Sequence, residues 1–183
     1  MTIWFTADTH LGHANIIQYC ERPFQTTKEM DETIIENWNK LVKENDSIYH
    51  LGDFCFPSRE SSIHHYLSKL NGKKFLVIGN HDKQTEIAKS VGGNSGWTNV
   101  NFSSLLDTNI HNQSMTLCHY CMRVWNKSHY GAWHLFGHSH GKVKVDNSRC
   151  IDVGVDNWKF SPVSFDELKE IMDLRTENII TKD

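Results

Sequence analysis

Three prolines in 183 residues, with no low-complexity tract, block of like charge or internal repeat, leave nothing that marks a linker. A single domain over 1–183 is therefore expected. An apolar run of about 18 residues, which a membrane span requires, is missing too. The amino-terminal MTIWFTADTH lacks the basic segment of a secretory leader and breaks any apolar stretch at Asp8. A cytoplasmic protein with no membrane partner is the expectation. The five cysteines (Cys20, Cys55, Cys118, Cys121 and Cys150) are odd in number and scattered, unlike a disulfide framework. Cys118 and Cys121 have CxxC spacing, but one such pair alone is a weak signal for zinc or redox chemistry. Lys and Arg (19) are fewer than Asp and Glu (22), a formal charge of −3. That balance excludes a broad cationic face for duplex nucleic acid, which relies on many phosphate contacts.

What the chain has in excess is histidine: twelve residues, more than a core needs. Short β-rich runs at 3–7, 47–50, 74–78, 115–118 and 133–136 read as strands. Between some of them lie helical patterns. Met30, Ile34, Ile35, Trp38, Leu41 and Val42 form one stripe over 27–43, behind a capping box of Thr26 and Glu29. Ile63, Tyr66, Leu67 and Leu70 repeat the pattern over 59–70, with His64 and His65 left to solvent. Leu168, Ile171 and Met172 repeat it again after a Ser164/Glu167 box. Residues 99–112 have β-prone pieces without helical period and read as antiparallel strands or a hairpin. Strands alternating with helices predict a layered α/β architecture with a mixed sheet system.

Five predicted strands end in side chains suited to metals: Asp8-Thr9-His10, Gly52-Asp53, Gly79-Asn80-His81-Asp82, His119 and Gly137-His138-Ser139-His140. Strand ends at one sheet edge are where functional residues collect. In extended backbone, residues two apart face the same side, so Asp8 with His10, and His138 with His140, are placed to share a cation. Glycines 52, 79 and 137 take bulk away beside these groups and permit sharp turns.

This ordered set, D-x-H, G-D, G-N-H-D, a lone His and G-H-x-H, resembles the calcineurin-like metallophosphoesterase family, and in particular its small prokaryotic, archaeal and phage members. The resemblance runs from Asp8 to His140 and implies a four-layer αββα sandwich of two mixed β-sheets flanked by helices. It also implies a ligand set: Asp8, His10 and His140 on one metal, Asn80, His119 and His138 on a second, and Asp53 bridging them. All-nitrogen-and-oxygen donors suit Mn²⁺ first, and also Fe, Co²⁺, Ni²⁺ or Zn²⁺.

Two divalent ions bring four positive charges against two from Asp8 and Asp53, a local attraction for phosphate that the net charge hides. Ions about 3.5–4 Å apart polarise phosphoryl oxygens and generate a hydroxide at neutral pH, so in-line attack on phosphorus is expected. His81, one residue after Asn80, is the expected general acid, and Asp82 is expected to orient its ring, as in the relatives the motif resembles. His13, His50, His111, His129 and His134 fall outside the motifs and read as surface, capping or supporting residues. His50 and His134 fit core positions, and His13 lies three residues from His10.

Substrate selection is less legible. Arg22 resembles an arginine of similar small members that forks onto phosphate, with a surface salt bridge as its other reading. Arg123 lies in the aromatic and basic stretch 120–133, which suits either base stacking or a packed loop, the latter for Trp133. Lys142, Lys144 and Arg149 read as a solvated stretch. The expected activity is metal-dependent phosphoester hydrolysis, of a diester ahead of a monoester because no long segment encloses the site. A single-strand nuclease or cyclic-nucleotide phosphodiesterase, acting on a nucleotide or short oligonucleotide, is the alternative. A non-catalytic scaffold of the same fold is disfavoured because every ligand position is filled.

Overall fold

The computed structural model describes residues 1–56, 62–93, 96–145 and 148–175. The first sheet is built from β1 (Ile3–Thr6), β2 (Ser47–His50), β3 (Lys73–Val77) and β4 (Asn99–Asn101), all parallel, in the order β4-β3-β2-β1. The second contains β5 (Leu105–Ile110), β6 (Gln113–Cys118), β7 (Trp133–Phe136) and β8 (Cys150–Asp152), in chain order. There β5 and β6 form an antiparallel hairpin while β6, β7 and β8 are parallel. A short β9 (Val163–Ser164) adds to the first sheet, antiparallel to β1. Both sheets are mixed, as expected, and the fold is mixed α/β.

Strand alternation assigns the side chains to two interiors. Trp4, Ile48, Leu76 and Ile78 face a core shared with α1 (Ala14–Tyr19), α2 (Thr27–Leu41), α3 (Ile63–Leu67) and α4 (Gln84–Lys89). Phe5, Leu51 and Val77 face the second sheet and meet Met115, Leu117 and Leu135. In-register Phe5, Tyr49 and Phe75 stack across three strands at 5.7 and 4.9 Å, a cross-strand contact that fixes register. The helix α5 (Phe165–Asp173) closes one side of this inter-sheet core with Phe165, Leu168 and Met172. Trp133 belongs there too, stacked on Phe165 at 5.3 Å, which bears out its packed reading.

The two mixed sheets and their helices agree with the expected sandwich, and the outer face of the second sheet carries the 120–132 loop with its 3₁₀ turn Ser128–Tyr130. Trp125 and Ala132 pack on Phe136 and Cys150 there, because His134 and Phe136 turn outward from β7. Residues 99–112 split: β5 is half of the expected hairpin, turned by left-handed His111 and Asn112, while β4 pairs parallel with β3. The helix expected over 59–70 is confined to α3, capped by Ser62, and 57–61 lie outside the described residues. Thr26 caps α2, but the Glu29 carboxylate accepts from Gln25 instead of completing the box, which is complete only at Ser164/Glu167.

Outward-facing His134 is fully buried and satisfied as a neutral ring: Nδ1–H donates to the Thr116 carbonyl (3.1 Å) and Nε2 accepts from the Met122 amide (3.0 Å). Burial lowers its pKa from the ordinary imidazole value. Below about pH 6.5 the unfolded chain therefore takes up a proton that the folded chain refuses, and stability falls with acidification by up to about 1.4 kcal/mol per pH unit. His134→Gln, which keeps a donor and an acceptor, should show a shallower loss of urea midpoint below that pH than wild type. Equal slopes would assign the acid sensitivity to other groups.

Candidate metal centre

Parallel pairing explains why five sequence segments meet. The carboxyl ends of β1, β2 and β3 emerge on one edge of the first sheet, and those of β6 and β7 on one edge of the second. Backbone bonds tie the emerging loops together: Asp8 N–H to Gly52 O, His10 N–H to Asp53 O, and Gly137 N–H to His119 O, each at 3.0 Å. Close approach demands glycine here; a Cβ on Gly137 would stand 2.6 Å from both the Ala7 Cβ and Asp8 Oδ2.

The backbone itself departs from the extended form expected. Asp8, His10, Asp53, His138 and His140 all have positive φ, between 46° and 65°. That region is sparsely populated by residues other than glycine, and its concentration here marks stored strain. It also corrects the pairing by two-residue spacing. Asp8 and His10 do share a cluster, with His140, while His138 joins Asp53 and His119 in another. The left-handed turns send His138 and His140 to different clusters.

Asp53 lies between the two. Its Oδ2 is 3.6 Å from His10 Nε2 and 3.4 Å from His119 Nε2, while Oδ1 accepts the His81 amide at 2.8 Å. Asn80 reaches the second cluster, its Oδ1 2.9 Å from His119 Nε2. Because His119 Nδ1–H faces the Leu51 carbonyl (2.7 Å), a neutral ring turns its Nε2 lone pair toward two oxygens. Lone pair against lone pair is repulsive unless a proton or cation stands between. In the first cluster, Asp8 Oδ1 and both nitrogens of His10 are buried without a hydrogen-bond partner among the described residues. Orphaned acceptors of this kind cost about 1–3 kcal/mol each. The donors are nitrogen and oxygen and converge, and three of their atoms have no hydrogen-bond partner among the described residues, so they fit divalent cations.

The electrostatics agree. Burial pushes the Asp8 carboxyl up to about 7 and the His10 ring down to about 2. Burial also opposes ionisation of Asp53, yet His119, His10 and the His81 amide hold it down at about 2. His140 is raised to about 10: Asp156, Cys20 and Asp8 outweigh the burial that works against its charge. Protons on such rings balance the carboxylates, and a divalent cation competes for the same lone pairs.

The remaining candidates are placed as follows. His81 is exposed, its ring 5.7 Å from that of His10 and 5.1 Å from Phe56. Asp82 does not serve that ring. Its two oxygens accept the amides of Asp53 (2.8 Å), Phe54 (3.0 Å) and Gly79 (2.8 Å), so the carboxylate locks the Asp53 loop to the Gly79 loop. Arg22 is buried, not turned to substrate: Nε and Nη2 grip Asp156 at 2.8 Å, and Nη1 and Nη2 donate to the Thr9 and Asp8 carbonyls at 3.1 and 2.7 Å. Its remaining N–H meets Met30 Sδ, which leaves no donor for a phosphate. Arg123 is exposed on the 120–132 loop.

His13 caps α1 through Nδ1 and rests on Phe56, at the rim rather than in a cluster. His50 is buried, bonded through Nε2 to Thr9 Oγ1, and its Nδ1 has no partner among the described residues. Sequence reasoning missed Asp156, whose Oδ2 accepts from His140 Nδ1 at 2.7 Å. Its only signal was a carboxylate just beyond another strand end, β8.

Buried carboxylates and imidazoles converging where two sheets meet define the class: a metal-binding α/β protein. The sequence profile of the calcineurin-like phosphoesterases matches residues 1–156, and the chain belongs to that family. It is accordingly a metal-dependent phosphoester hydrolase. It is 31 % identical over 180 residues to the uncharacterised protein MJ1445 of Methanocaldococcus jannaschii, covering 93 % of this chain and 91 % of that protein. To the Gene 66 protein of Mycobacterium phage D29 it is 26 % identical over 194 residues, covering 93 % and 95 %. Its fold matches the crystal structure of AQ665 from Aquifex aeolicus, a protein of unknown function, with a TM-score of 0.72 at 22 % identity, over 93 % of this chain and 98 % of that one. No helix among the described residues is long and apolar enough to cross a membrane.

Inward-facing lone pairs predict that cations stabilise the fold. At a hundredfold excess over Kd, Mn²⁺ added to EDTA-treated protein should contribute about 2.7 kcal/mol, roughly 5–10 °C in thermal midpoint at this length. Asp53→Asn should lose most of that shift. An unmoved wild-type midpoint would count against cation binding.

Proposed function

We propose that the chain hydrolyses phosphodiesters with two divalent cations, Mn²⁺ being the first to test. One would be held by Asp8, His10 and His140, the other by Asn80, His119 and His138, with Asp53 shared. The observation that carries this reading is Asp53 Oδ2, placed within 3.6 Å of an imidazole nitrogen from each cluster. When bound, such a pair polarises phosphoryl oxygens and lowers the pKa of a shared water.

The protein's own groups supply the rest. The His81 amide holds Asp53 in place, and the His81 ring, exposed beside His10, donates its N–H proton to the departing ester oxygen. A diester is favoured over a monoester on charge. Arg22, which the sequence offered as a phosphate ligand, commits its donors to Asp156, two carbonyls and Met30 and leaves none for a monoester's second negative charge. A cytoplasmic setting suits cysteines that form no disulfide.

The test is a side-by-side assay of bis- and mono-p-nitrophenyl phosphate with Mn²⁺, with Asp53→Ala as blank. Faster turnover of the diester is expected, and a clear monoester preference would overturn the assignment. On a diester with an alkyl leaving group, His81→Ala should lose about 10²–10⁴ in kcat. The loss should be much smaller with nitrophenolate, which leaves without a proton.

A nucleotide-type diester is the second reading, favoured by Tyr120. The residue is 43 % exposed and its ring meets the His138 ring edge-on at 4.7 Å, so a planar group beside the phosphate has a surface to stack on. Stacking of this kind contributes about 1–3 kcal/mol per base. Tyr120→Ala should then raise KM for a 2′,3′-cyclic nucleotide by roughly 5- to 100-fold, with kcat held and Tyr120→Phe near wild type. An unchanged KM would remove the base from the account.

A further inference from the structure

We infer that Arg22 and Asp156 form a positioning pair that sets all three members of the first cluster, Asp8, His10 and His140, and leaves the second cluster to other supports. This rests on reading that cluster as a cation site.

The argument begins with the His140 tautomer. A neutral imidazole has one N–H, and Nδ1 faces Asp156 Oδ2 at 2.7 Å, an oxygen that only accepts. When a cation displaces the second proton, the remaining one therefore resides on Nδ1, and Nε2 offers its lone pair to the cation. A carboxylate behind a ligating histidine fixes its orientation and raises its basicity. Asp156 is itself fixed by the Arg22 fork, Nε to Oδ1 and Nη2 to Oδ2, both at 2.8 Å. Two parallel charge-assisted bonds define the carboxylate plane, which a single point charge would not.

The same guanidinium then acts on the other two ligands through their backbone. Nη2 donates to the Asp8 carbonyl and Nη1 to the Thr9 carbonyl, inside the turn whose residues Asp8 and His10 have φ of 57° and 49°. A strained turn persists when its surroundings over-determine it, and here a buried, fully committed cation does so. One residue thus governs a ring and the backbone that holds its two neighbours.

The second cluster is supported differently. His119 Nδ1–H donates the equivalent bond to the Leu51 backbone carbonyl, which no side-chain substitution removes. Changes at Arg22 or Asp156 should therefore weaken one cation and spare the other.

The experiment is a Co²⁺ titration of EDTA-treated protein, followed by visible absorbance and calorimetry. Wild type should bind two equivalents. Asp156→Asn should bind one of them 10- to 100-fold more weakly and the other unchanged, the loss typical of removing such a partner. Arg22→Lys, which keeps the charge without the fork, should weaken the same equivalent. Urea midpoints of the EDTA-treated variants separate this from general destabilisation: a selective loss with wild-type midpoints supports positioning. Two equivalents at wild-type affinity in both variants would overturn the inference while leaving the two-cation reading intact. A wild type that binds fewer than two equivalents would overturn that reading instead.

A measurement on wild type alone guards against variants that fail to fold. In Zn²⁺-loaded protein with ¹⁵N-labelled histidine, His140 should show a protonated Nδ1 and a metal-ligated Nε2. The reverse assignment would overturn the inference.

Discussion

Asp53 Oδ2 stands between two imidazole nitrogens from different clusters, and the surrounding structure acts to keep it there. The constraint is electrostatic. Carboxylate oxygens, an amide oxygen and imidazole lone pairs point into one small volume, and no donor among the described residues meets several of them. Such an arrangement is unfavourable by itself and becomes favourable only with positive charge at its centre. The site is therefore built as a repulsive cage, and its shape must be enforced from outside.

That enforcement comes from backbone amides and buried charges rather than from the ligands' own contacts. Asp82 accepts three amides and joins the loop after β2 to the loop after β3. Asp8 Oδ2 accepts the His138 amide at 2.8 Å and so joins the first sheet to the second. Each bond is of ordinary length, but together they hold five residues in left-handed conformations. The strain, the hydrogen bonds and the glycines are consequences of one requirement, that side chains from five loops reach a common centre.

Much of this was legible in the sequence, and the reason is physical. Parallel strands buried on both faces read as short apolar runs, and their ends are marked where glycine and polar ligands interrupt them. Thus Asp8, Asp53, Asn80, His119 and His138 could be placed at strand ends, and convergence follows from parallel pairing alone. The stripe of α2 and the cap of α5 were readable because several turns of helix give a period. By contrast α1 and α4 are six residues each, β9 is two, and tertiary pairing rather than local pattern makes them form. Side-chain direction was equally hidden. Arg22 resembles a phosphate-binding arginine of similar small members, and nothing local shows its partner 134 positions away; Asp82 resembles the ring orienter of the motif, and nothing local shows the amides it accepts. The left-handed backbone left no trace, since Asp and His tolerate that region without announcing it.

Each cluster draws on both sheets. Asp8 and His10 come from the loop after β1 and join His140 from beyond β7, while Asp53 comes from the loop after β2 and joins His119 and His138. The distance between the sheets therefore sets the distance between ligands, and that spacing is fixed by the inter-sheet core of Phe5, Leu51, Val77, Leu117 and Leu135. Close-packed interiors transmit changes of even one methylene. The inter-sheet core is thus part of the centre's geometry, whereas the core beneath α2 and α3 lies on the far face of the first sheet and bears on the ligands only through that sheet. Cation binding and sheet packing are linked by the same geometry: an ion that draws the two loop sets together presses the sheets together, and a well-packed interior holds the loops where an ion can be shared.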